Sequence, residues 1–128
     1  MKFMITLIIA INLFTSSFNN VSINEQKNNI IILNEDKTNK MNINDLIVTT
    51  LETDHLSGFS WQYEFSEPGI IDILFDNYIP GKDINNGPGK HTFIFKSLAK
   101  GKCQLIFNYY RQGENFSHKS VTYKIFVR

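Results

Sequence analysis

Between Phe59 and Phe65 the chain alternates without a break. Phe59, Trp61, Tyr63 and Phe65 fall on one side, Ser60, Gln62 and Glu64 on the other. A period of two suits a strand with one face in a core and one in water; a helix would scatter it. The pattern recurs along the chain. Ile30 to Leu33 is a short apolar run, Met41 and Ile43 alternate with polar neighbours, and Leu46 to Leu51 is rich in β-branched residues. Ile70 to Tyr78 sets Ile71, Ile73 and Phe75 opposite Asp72, Leu74 and Asp76. Phe93 and Phe95 share a face of His91 to Lys96. Cys103, Leu105, Phe107 and Tyr109 share one of Cys103 to Tyr110, and Val121, Tyr123, Ile125 and Val127 close the series. Turn residues separate these runs at Asn34 to Lys37, Asn44-Asp45, Glu67-Pro68-Gly69, Pro80 to Gly89, Ala99 to Lys102 and Arg111 to His118. Past the first residues of the chain no stretch carries a helical stripe. Seven or eight short strands at this spacing predict an all-β domain, an antiparallel sandwich or a barrel.

Such a domain has to hold itself together. Cys103 is the one cysteine, so no disulfide can form within the chain. A composition of 42% hydrophobic and 13% aromatic residues can supply the core instead. The front end stands apart from the domain. Lys2 precedes an apolar run from Phe3 to Phe14, broken by Thr6 and Asn12, and Thr15-Ser16-Ser17 follows. This is the pattern of a secretory signal peptide, and it falls short of the ~20 apolar residues of a membrane span. We therefore expect residues 1–17 to be a cleaved signal, 18–28 a mobile polar leader and 29–128 the folded domain. The mature chain would have no membrane span, and would be secreted or held in endosomal or lysosomal vesicles. Two glycosylation sequons, Asn20-Val21-Ser22 and Asn115-Phe116-Ser117, fit that route, and the second predicts Asn115 on an exposed loop.

Much chemistry is excluded. A net charge of +1 gives no reason to expect nucleic acid or an acidic surface as partner. His55, His91 and His118 are scattered, with no metal-ligand spacing. Cys103 lies on the apolar face of its strand, where a thiol is an inert small hydrophobe. Asp72 and Asp76 project from one predicted strand face, and a solvated edge explains them better than a cation site. Gly87-Pro88-Gly89 precedes a strand rather than a helix, so it is no phosphate cradle. The sequence therefore predicts no catalytic residue, no metal and no cofactor.

Loops remain, and in a sandwich they cluster at the two ends, where binding is built. Asp54-His55-Leu56-Ser57-Gly58-Phe59-Ser60-Trp61, then Gly87-Pro88-Gly89-Lys90 before a strand, then Tyr110-Arg111-Gln112-Gly113 after one, resemble the three loops of the chagasin family of cysteine-peptidase inhibitors. The family motifs are Asn-Pro-Thr-Thr-Gly-aromatic-small-Trp, Gly-x-Gly-Gly and Arg-Pro-Trp, and the similarity runs from about Ile30 to Arg128. Here His55 stands for the proline, Leu56 for the first threonine and Lys90 for the last glycine, while Ser57 keeps a hydroxyl. Gln112 and Gly113 stand where proline and a bulky aromatic are usual.

The resemblance implies an immunoglobulin-like antiparallel β-sandwich that plugs the cleft of papain-like, cathepsin L-like cysteine peptidases as a monomer in a one-to-one complex. It implies contact through Asp54, His55, Leu56, Ser57, Gly58, Gly87, Pro88, Gly89, Lys90, Arg111, Gln112 and Gly113, with Phe59 and Trp61 supporting the first loop from the core. The alternative is a secreted immunoglobulin-like module for a receptor, adhesin or carbohydrate partner. A sugar platform would need Tyr78, Tyr110 and Phe116 on one exposed surface.

Overall fold

A computed structural model describes residues 27–81 and 87–128. The expected signal and most of the leader lie outside the described residues. Two four-stranded sheets pack face to face. The first has the order β1 (Ile30–Ile32), β3 (Leu46–Thr53), β6 (Gly89–Ser97), β5 (Ile71–Ile79). The second has the order β2 (Asn39–Met41), β8 (Ser117–Val127), β7 (Gly101–Arg111), β4 (Phe59–Phe65). The long pairs are antiparallel, as expected. Two three-residue strands add parallel edges, β1 beside β3 and β2 beside β8. Among the described residues no helix is long and apolar enough to cross a membrane.

The alternation read from the sequence sorts the core. Ile47, Phe93 and Phe95 of one sheet meet Trp61, Leu105, Phe107, Tyr123 and Ile125 of the other, all buried. Phe107 lies 5.0 Å from Phe93 and 6.0 Å from Phe95, centroid to centroid, so aromatic packing joins the sheets. The pole away from the three loops is stitched by polar groups. Buried Asp45 accepts from the amides of Asn29 (3.2 Å) and Asn42 (2.8 Å), which satisfies its carboxylate without a cation.

β5 departs from the simple pattern. Its register against β6 shifts between Ile73 and Phe75, a β-bulge with Leu74 as the extra residue. Ile71 is buried and Ile73 half-buried as expected, but Phe75 turns outward and is 51% exposed. The same bulge separates the two aspartates. Asp72 pairs across from Lys96, and Asp76 across from core-facing Phe93, so the two do not share a face. Asp76 instead lies 3.4 Å from the His91 imidazole. No group of three metal-ligating side chains occurs among the described residues. Ile43, expected to continue β2, lies beyond its end at Met41 and is exposed.

Three buried or half-buried groups set an alkaline limit. Burial, then the Glu67 carboxylate, pushes the Cys103 thiol above its ordinary 9.0. Burial, then acidic neighbours, likewise pushes Tyr63 and Tyr123 above 10.0. All are neutral when protonated, so a raised folded-state pKa gives stability that is complete below the unfolded values and is lost as pH climbs through the folded ones. The melting temperature should hold to about pH 9 and fall between about pH 9 and 11 in thermal scans. A flat profile over that range would contradict the burial of these groups.

Candidate functional site

The first loop is built between β3 and β4. After buried Thr53, the Asp54 carboxylate accepts the Ser57 amide at 3.3 Å, starting a 3-10 turn over His55–Ser57. Gly58 closes it in the left-handed region, φ 83°, donating to the His55 carbonyl at 3.0 Å. The Phe59 amide donates back to the Asp54 carbonyl at 3.1 Å, so the loop is short and internally bonded. Leu56 at its tip is 79% exposed.

Aromatic side chains of the second sheet hold the base of this loop. Trp61 donates its indole N–H to the Glu52 carbonyl at 3.0 Å, and the Tyr109 hydroxyl accepts the Asp54 amide at 2.7 Å. The Trp61 and Tyr109 rings lie 4.6 Å apart, and Phe59 stacks on Tyr109 at 4.8 Å. Trp61 thus lies buried beneath the loop and bonded to the end of β3, with Tyr109 beside it and bonded to Asp54. That bond was not legible in the alternation, which marks Tyr109 only as inward-facing.

The second loop enters β6 through Gly87, at φ 84°, and exposed Pro88. Buried Gly89 pairs with Thr53, and Lys90 with Glu52 and Ile79, its side chain in solvent. Tyr78 of β5 packs on Gly89 so closely that an added Cβ would overlap its ring, and it also lies 4.9 Å from the His55 ring. Tyr78 thus ties the first loop to the second, with a cleft between them lined by Asp54 to Ser57 and Gly87 to Gly89. Gly89→Ala should displace Tyr78 and free His55. A loss of cross-peaks between the Tyr78 and His55 rings in NMR spectra would record this, with stability lowered by about 1 kcal/mol or more from overpacking.

The third loop joins β7 to β8. Arg111 pairs with Phe59, its guanidinium 5.9 Å from the Phe59 ring centre. The Gln112 amide donates to the Gly58 carbonyl at 2.8 Å, a direct bond between the first and third loops. Gly113, at φ 84°, and a bond from the Glu114 amide to the Arg111 carbonyl at 3.1 Å complete the turn. Asn115 is exposed, as its sequon predicts. Phe116 is 57% exposed, and its ring lies 5.0 Å from that of His118, which is bonded to the Glu114 carboxylate.

The residues named from the three loops therefore gather at one end of the sandwich, where Gln112 is bonded to Gly58 and Tyr78 packs between His55 and Gly89. Tyr78, Tyr109 and Phe116 belong to the same end and carry no motif that would single them out. Tyr78 contacts His55 and His91, while Phe116 contacts His118, and no ring contact joins either to Tyr110. Tyr78 and Tyr110 are half-buried and Phe116 alone is exposed, so the three do not present one fully exposed aromatic surface.

A family model described as the chagasin family peptidase inhibitor I42 matches residues 40–127, a span that includes all three loops. Among solved structures, the chain is similar to the cysteine protease inhibitor EhICP2 from Entamoeba histolytica. The two are 24% identical with a TM-score of 0.67, over 77% of this chain and 96% of that one. It is also similar to the solution structure of Amebosin, at 15% identity and a TM-score of 0.61, over 80% of this chain and 99% of that one. At these identities the structural likeness speaks for the fold. No curated protein sequence matches the chain.

Proposed function

The chain belongs to the chagasin family of peptidase inhibitors, and from that premise we propose that it is a secreted protein that blocks the active-site cleft of papain-like cysteine peptidases with its three loops. The observation that carries this reading is the coupling of the loops: the Gln112 amide on the Gly58 carbonyl, and Tyr78 between His55 and Gly89. A papain-like site is a groove with a thiolate–imidazolium pair at its floor. The first loop enters over that pair, with Leu56 as an apolar wedge and the Ser57 hydroxyl beside the reacting groups. The second and third loops lie against the walls, where Gly87 and Gly89 let backbone approach closely and Arg111 reaches carbonyls or carboxylates.

Inhibition follows from occlusion. The loop between Asp54 and Gly58 is bonded to itself and to Tyr109, which resists the backbone adjustment that attack on one of its peptide bonds would require. A surface ordered before docking loses little entropy on binding, which is how an interface of about 1,600 Å² reaches nanomolar affinity. The test is titration of the purified protein against papain and a cathepsin L-like enzyme, with tight-binding inhibition expected. No inhibition at ~10 μM, far above the dissociation constant of a specific interface, would refute the proposal. Secretion is tested separately: secreted material should begin near Phe18.

A further inference from the structure

We propose that Phe116 is an additional anchor of this surface, an aromatic side chain that seats in an apolar recess on the peptidase wall next to the third loop. The inference rests on the inhibitor reading above and deepens it. Gln112 and Gly113 at the turn of the third loop offer the wall no bulky apolar side chain. Phe116 lies in the same β7–β8 connection, a few residues on, with more than half of its surface in water.

Its position is fixed rather than free. The ring rests on His118 at 5.0 Å, and His118 is held by the Glu114 carboxylate. His118 in turn meets the Phe59 ring edge-on at 5.1 Å, and Phe59 follows Gly58 directly in the first loop. A chain of ring contacts therefore connects Phe116 to the loop that carries Leu56. An exposed aromatic that is already ordered loses little on docking, and aromatic anchors of this kind supply a large share of interface energy. The Glu114 carboxylate, bonded to the His118 ring on which Phe116 rests, sets a polar group at the margin of this apolar side chain, the usual setting of such an anchor. Were Phe116 only a lid on the sandwich end, its ring would be buried and its removal would cost stability.

The test compares wild type, Phe116→Ala and Phe116→Trp against papain, with a melting curve for each. Phe116→Ala should weaken inhibition at least tenfold, mainly through faster dissociation, with its melting temperature unchanged. Phe116→Trp should retain inhibition, since a larger ring offers the same apolar face. Inhibition by Phe116→Ala within twofold of wild type would overturn the anchor while leaving the inhibitor reading intact. A fall in melting temperature that accounts for the lost inhibition would overturn it in favour of a structural lid. A wild-type protein that does not inhibit would remove both readings.

Discussion

Leu56→Asp should weaken inhibition of papain about a hundredfold, with the melting temperature close to that of wild type. The loss has two sources. Fully burying a leucine side chain is worth about 1.5–3 kcal/mol, and the substitution forfeits it. It also places a carboxylate in a narrow groove where it loses water, a cost added to the first. About 2.7 kcal/mol corresponds to a hundredfold in the inhibition constant. The fold should not register the change. Leu56 is 79% exposed, and the bonds that shape its turn come from backbone groups and the Asp54 carboxylate. Equal inhibition by the variant and the wild type would take the first loop out of the interface.

What the sequence disclosed, and what it concealed, divides along physical lines. β4 runs from Phe59 to Phe65 as the alternation predicts, because period-two patterning and a half-buried strand are one constraint. β5 shows the limit of that logic. Leu74 and Phe75 are both apolar, so nothing in the pattern marks where the backbone inserts a residue, and the bulge turns Phe75 to the outside. The loops were legible as residues and as an order, since glycines at Gly58, Gly87 and Gly113 answer a backbone need for positive φ. Their mutual attachment was not. The Tyr109 hydroxyl reaches the Asp54 amide across 55 positions of sequence, and only the packing of two sheets brings them together. Tyr78 is hidden for a different reason: it sits past the bulge on the edge strand of the first sheet and meets His55, at the end of β3, across the intervening β6.

That dependence of loop on core predicts a second large effect. Trp61→Ala should lower stability by about 3–5 kcal/mol, the cost of removing a large buried aromatic. For a domain of about 100 residues, each kcal/mol is worth about 4–8 °C in melting temperature, so a fall of roughly 15 °C or more is expected in a thermal scan. Trp61 is 6% exposed, and its ring packs 4.6 Å from Tyr109, so the cavity opens beside the residue that also holds Asp54. The indole N–H is lost at the same time, leaving the Glu52 carbonyl without its partner at the end of β3. The first loop springs from that end one residue after Thr53. Trp61→Phe separates the two consequences: it keeps most of the apolar volume and removes only the bond to Glu52. Its melting temperature should fall much less than that of Trp61→Ala, while inhibition should still weaken, because the strand end that aims Leu56 is released. If Trp61→Phe inhibits as well as wild type, the indole bond contributes to the fold alone and Tyr109 by itself positions the loop.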